Sequence, residues 1–192
     1  MKRFKLFAVI AALFCCTSLY AKDFDWSKCW CNYGAGIKQG DVLVTVDGGL
    51  WYNDLVYWGY KNAWVLPPVM VEVQVAQPIW KLPFTFGGYA GIRGYGWEDQ
   101  NGTKAKYLGV FFGGEAEYHV MLPPENLDVY AATRIGGGLP LAKPENVNWT
   151  ADPVDFFHWA GAIGASWYFN KKFGINLEFG YPMSKFGVIF KL

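Results

Sequence analysis

The sequence predicts an all-β fold, an eight-stranded antiparallel up-and-down transmembrane β-barrel, on three observations. Apolar and polar residues alternate one by one over long stretches, most plainly from Val69 to Ala76 and from Phe173 to Leu192. That is the period of a strand with two unlike faces. The faces differ in kind: one is apolar and free of charge through its middle, and the other collects ionisable groups. The last stretch is itself an amphipathic strand. In an open sheet it would be an unpaired edge, and closure into a barrel removes that edge.

Composition agrees. Of 192 residues 53% are hydrophobic and 19% aromatic, yet the mean hydropathy is only +0.09. A helical membrane protein is greasier and carries long apolar runs. A membrane barrel dilutes its lipid-facing residues with polar ones in the lumen. Met1 to Ala21 reads as a secretory signal, with Lys2, Arg3 and Lys5 before an apolar centre from Leu6 to Cys16. Its removal leaves 192 − 21 = 171 residues and a charge of +1 − 3 = −2, which does not point to nucleic acid. Cys15 and Cys16 fall in the signal, without the small residues that should precede a lipidated cysteine. Cys29 and Cys31 belong to an N-terminal arm, residues 22–40, expected on the periplasmic side. They are close enough to bridge only with strain, and their spacing alone is weak evidence for a metal site.

The strands follow from residue 41 to residue 192. Asp41 to Trp51 alternates Val42, Val44 and Val46 with Leu43, Thr45 and Asp47. A Tyr- and Trp-rich connection, Tyr52 to Pro68, leads to the second strand, where Val69, Val71, Val73 and Val75 oppose Met70, Glu72, Gln74 and Ala76. In the third, Pro83 to Trp97, Phe84, Phe86, Ala90 and Ile92 oppose Thr85, Tyr89, Arg93 and Tyr95. Asn101-Gly102 marks a hairpin turn into the fourth, Lys104 to Val120. There Leu108, Val110, Phe112 and Tyr118 point outward, and Tyr107, Phe111, Glu115, Glu117 and His119 inward. The fifth is Leu127 to Leu141, with Val129, Ala131 and Ile135 outward and Tyr130 and Arg134 inward. The sixth is Phe156 to Asn170, and the final stretch supplies the seventh and eighth. All ten prolines fall at or near the ends so drawn, as expected of a residue with no N–H for a ladder.

The sixth strand carries aromatics at both ends of its outward face: Phe157 and Trp159, then Trp167 and Phe169. That is the double girdle of a strand crossing two membrane interfaces. The inward face predicts an ion-pair network of Glu72, Arg93, Glu115, Glu117, Arg134 and Glu178. Aligning Val120 with Val129 sets Glu115 opposite Arg134. Tyr89, Tyr95, Tyr107 and Phe111 are candidates to line the lumen. Inward glycines such as Gly113 and Gly136 either leave a narrow passage or let those rings fold across it.

The last eight residues, Lys185-Phe186-Gly187-Val188-Ile189-Phe190-Lys191-Leu192, resemble the C-terminal signal of bacterial outer-membrane barrels, through Lys185, Gly187, Phe190 and Leu192. Leu192 stands where Phe is more usual. With the alternation, the tail makes the chain look like the small OmpA/OmpW-type barrels. The resemblance implies a bacterial outer-membrane location, lipid around the barrel, and delivery to the barrel-assembly machinery through the last strand. It further implies a narrow, porin-like passive conduit for small or hydrophobic solutes. The alternative is a non-conducting surface barrel whose outer loops bind ligand, lipid or host molecules. His158 and Asp155 lie near the outer rim, but nothing sets a nucleophile, base and orienter within reach, so no catalytic residue is assigned. No cofactor and no metal are expected.

Overall fold

The structure, a computed structural model, describes residues 25–52, 61–98, 104–142 and 158–192. The expected signal segment, with Cys15 and Cys16, lies outside them, as do Asp155 and Phe157. Eight strands follow in order: β1 (Val42–Tyr52), β2 (Lys61–Ala76), β3 (Phe84–Glu98), β4 (Lys104–Met121), β5 (Leu127–Ala142), β6 (His158–Tyr168), β7 (Phe173–Tyr181) and β8 (Met183–Lys191). Each pairs antiparallel with the next, and β8 pairs with β1, so the sheet is a closed barrel. No α-helix occurs among the described residues. The arm and Leu192 share one end of the barrel, here the base; β1 runs from the base to the opposite rim.

The two faces are those the alternation predicts. Thr45, Asp47, Glu72, Gln74 and Thr85 are buried inside, whereas Val71, Val73, Val75, Phe112, Ile135 and Ile163 are exposed outside. Val120 faces Val129 and Glu115 faces Arg134 across the β4–β5 ladder. A one-residue slip would have turned every one of these side chains to the other face.

One strand departs from the expectation. β2 begins at Lys61, eight residues before Val69, and holds Pro67 and Pro68 inside it. Proline is tolerated there because the ladders around it are broken. The β1–β2 pairing stops at Gly48 and Val69, and the β2–β3 register shifts between Leu66 and Val69. Two prolines at a bulge thus leave no donor missing from a regular ladder. Pro140 likewise lies inside β5, next to a register shift at Leu108 and Gly109 of β4. Pro78, Pro83, Pro123, Pro124 and Pro182 do lie between strands. Pro144 and Pro153 are outside the described residues.

The arm does more than precede the barrel. It is tied to four strand ends in turn: Met121 N–H donates to Cys29 O (3.0 Å), the Tyr33 hydroxyl to Phe84 O (2.6 Å), Ala35 N–H to Leu127 O (3.2 Å), and Gly40 N–H to Ala76 O (2.8 Å). Ile37 then inserts among Leu43, Ala76, Tyr168 and Ile189, with Tyr33 and Ala35 against them. This small apolar cluster closes the base, and Lys191 Nζ donates to Ala35 O at 2.9 Å. Cys29 and Cys31 are both free thiols, the first buried and the second exposed. Burial raises the Cys29 thiol above its ordinary value and pushes the Tyr33 phenol up to about 12.

Candidate functional site

The candidate site is the lumen. Inward positions of adjacent strands stack in layers, because every second residue of each strand points to the axis. Just above the arm, Thr85 Oγ1 donates to Gln74 Oε1 at 2.6 Å and lies 3.0 Å from His119 Nε2. His119 Nδ1 is 2.9 Å from Asp128 Oδ2. The rings of Tyr33 and Tyr130 flank the imidazole, with centroids at 5.4 and 5.8 Å. A hydroxyl, an imidazole and a carboxylate in that order have the connectivity of a nucleophile, base and orienter. Here the Thr85 proton goes to Gln74, and Thr85, His119 and Asp128 are 0%, 1% and 1% exposed. The arrangement is a packed polar layer.

At mid-height the layer is ionic. Arg134 Nε lies 2.8 Å from Glu115 Oε2, Nη1 2.8 Å from Glu178 Oε1, and Nη2 2.8 Å from Glu72 Oε1 and 3.4 Å from Glu117 Oε1. Lys185 Nζ sits 2.8 Å from Asp47 Oδ2 and 3.5 Å from Glu178 Oε2, and also donates to Glu72 Oε2. Asn176, Tyr130 and Ser166 join this set to the layer below: the Tyr130 hydroxyl is 2.8 Å from Asn176 Oδ1 and 3.2 Å from Glu178 Oε2, and Ser166 Oγ is 3.1 Å from Asn176 Oδ1. Two cations thereby bind carboxylates from β1, β2, β4 and β7 to β5 and β8, six of the eight strands. Groups this deeply buried retain charge only when paired and hydrogen-bonded. The guanidinium suits the task because its fork reaches several carboxylates at once.

Above the ions, aromatic rings lie against the inner wall of the lumen, over glycines of the neighbouring strands. The Tyr89 hydroxyl occupies the space that a Cβ at Gly113 or Gly136 would take. The inward glycines therefore make room for a ring. Phe111 lies beside Tyr89, centroids 6.4 Å apart, and Met70 and Tyr107 are also buried.

The remaining expected residues fall as follows. Arg93 lies higher on β3, opposite Gly109, whereas Glu115 is opposite Gly87; its place is nearer the rim than the Arg134 layer. Tyr95 pairs with Tyr107 across the β3–β4 ladder, and its side chain and that of His158 are outside the described set. Trp159, Trp167 and Phe169 face outward. Trp159 Nε1 donates to Thr133 Oγ1 at 3.1 Å. In the tail, Lys185 is fully buried as a lumen cation, Gly187 pairs with Asp47, Phe190 faces out, and Leu192 N–H donates to Val42 O at 2.9 Å. Sequence reasoning missed Asp128, whose parity with Tyr130 and Arg134 marks it as inward. It also missed the arm as a closure, for which the irregular segment carries no periodic signal. Among the described residues no group of His, Cys, Asp and Glu is arranged to hold a metal.

No family model matches the sequence, and no curated protein matches it. Among solved structures the chain is similar to a de novo designed transmembrane β-barrel, with 16% identity over 81% of this chain and 98% of that one and a TM-score of 0.41. It is also similar to the outer-membrane protein Ail of Yersinia pestis, whose backbone structure was determined in a phospholipid bilayer nanodisc. There the identity is 14% over 81% of this chain and all of that one, with a TM-score of 0.43.

Proposed function

We propose that the protein is a non-conducting barrel of a bacterial outer membrane, a rigid scaffold that carries its rim connections, residues 53–60, 99–103 and 143–157, to the cell surface to meet ligand, lipid or host molecules. One observation carries this reading: the mid-lumen layer in which Arg134 and Lys185 tie six strands together across the bore. The arm adds a second closure at the base. Lipid around the barrel is supported by the outer face. Val69, Val71, Val73 and Val75 are each more than 40% exposed along one strand, and an apolar stripe of that kind is unfavourable in water. Trp159 and Phe169 lie ten residues apart on one face. At about 3.3 Å per residue and a tilt of about 40°, that spacing covers ~25 Å, the height of a barrel's apolar band. On this reading both termini are periplasmic and the last strand is what the barrel-assembly machinery receives.

Purified full-length protein in planar bilayers tests the proposal. A flat current trace is expected; a reproducible unit conductance would overturn it. A conduit for small hydrophobic solutes is the second reading. The end of the β1–β2 ladder at Gly48 and Val69 favours it, because above the ionic layer these two strands are no longer joined by backbone pairing. Solute entry into liposomes that contain the protein, absent from empty ones, would select that reading.

A further inference from the structure

The β2–β3 turn is built against its own sequence. Ile79 and Leu82 exchange both backbone hydrogen bonds, 3.1 and 2.8 Å, so the connection is a two-residue hairpin loop with Trp80 and Lys81 at its tip. Both have positive φ, 49° and 71°. Loops of this kind favour Asn-Gly, since two consecutive left-handed residues suit side chains that tolerate that region. A tryptophan and a lysine there are displayed at a conformational cost. Trp80 is 91% exposed.

The turn continues the apolar exterior. The exposed residues Val73 and Val75 lead into it, Ile79 lies in it, and Phe86 follows it. Phe84 stacks on Phe86, centroids 5.8 Å apart, and meets Tyr118 at a tilt, centroids 5.3 Å apart. The Tyr118 hydroxyl holds the carbonyl of exposed Trp30 at 2.7 Å. The turn at the base thus presents an exposed indole followed directly in sequence by an exposed lysine. An indole prefers the boundary where hydrocarbon gives way to charged headgroups, and a lysine buries its stem while its ammonium reaches phosphate.

We propose that the Trp80–Lys81 turn is a membrane anchor, with the indole lodged at the headgroup level of the leaflet at the base and Lys81 on a phospholipid phosphate. This extends the lipid-facing reading of the exterior given above and rests on it. The test uses the full chain in phosphatidylcholine–phosphatidylglycerol vesicles, with tryptophan emission quenched by lipids brominated either just below the headgroup or deep in the acyl chain. Relative to the native chain, W80F should lose a component quenched by the shallow bromines. Equal shallow quenching in the two proteins overturns the anchor. Absence of quenching by either lipid in the native chain overturns the membrane reading itself, so the two failures are distinguishable. A second variant, W80N/K81G, relaxes the turn. Its urea midpoint should rise in zwitterionic detergent and fall in the vesicles. Any other pair of shifts overturns the anchor.

Discussion

Replacing Arg134 with methionine removes the guanidinium and keeps most of the volume. In the native protein that group touches Glu72, Glu115 and Glu178, each at 2.8 Å, and Glu117 at 3.4 Å, with all five side chains 6% exposed or less. Lys185 still pairs with Glu72 and Glu178 after the change, whereas Glu115 loses the cation at its Oε2. Breaking a buried pair by removing one partner costs about 3–5 kcal/mol, because the other charge is stranded. This is the upper part of what single substitutions do, and a large share of a net stability of roughly 5–15 kcal/mol. We expect a loss of that size in urea unfolding of purified protein in one detergent, followed by tryptophan emission. R134K should fall between, since a lysine keeps the charge but lacks the planar fork whose separate nitrogens pair with Glu72, Glu115 and Glu178. Adding E115Q to R134M should recover about 1 kcal/mol or more, as it neutralises a stranded acid. A loss below about 1 kcal/mol for R134M, the value of an exposed pair, would refute the idea that this layer holds the barrel together.

Two further predictions concern smaller features. Gly113→Ala places a Cβ against the Ile135 backbone carbonyl, the Tyr89 hydroxyl and the Gly136 backbone and should destabilise by about 1–3 kcal/mol through overpacking. Gly48→Ala meets no atom nearer than 3.9 Å and should unfold at nearly the native urea concentration; equal losses would show that the inner wall at Gly113 is not packed as described. In the arm, Cys31 is exposed and Cys29 buried with its thiol raised. The thiolate is the reactive form, so a maleimide should label Cys31 within minutes and Cys29 only after unfolding. In a chain whose Cys15 and Cys16 are serine, C31S should abolish the fast label, and fast labelling that survives C31S would mean that the arm does not close the base.

Much of the fold was legible because a strand repeats every two residues. Alternation alone assigned Glu72, Glu115, Arg134, Glu178 and Lys185 to one face and the valines of β2 to the other, and an antiparallel ladder then made Glu115 and Arg134 neighbours. It failed where a strand breaks its own rules. Pro67 and Pro68 look like a boundary in the sequence, yet β2 passes through them at a bulge.

The sequence by itself determined the strand count, the face of nearly every side chain and, in the β4–β5 hairpin, the cross-strand neighbours, since these depend only on parity and on adjacent segments. What only the tertiary structure decided is who meets whom across the bore. Lys185 reaches Asp47 and Glu72, 138 and 113 residues away, and the arm fits under the sheet through Ile37 and Tyr33. Such contacts depend on how far each strand is staggered as the sheet closes, and on an irregular segment with no period to read. Both are properties of the closed barrel as a whole.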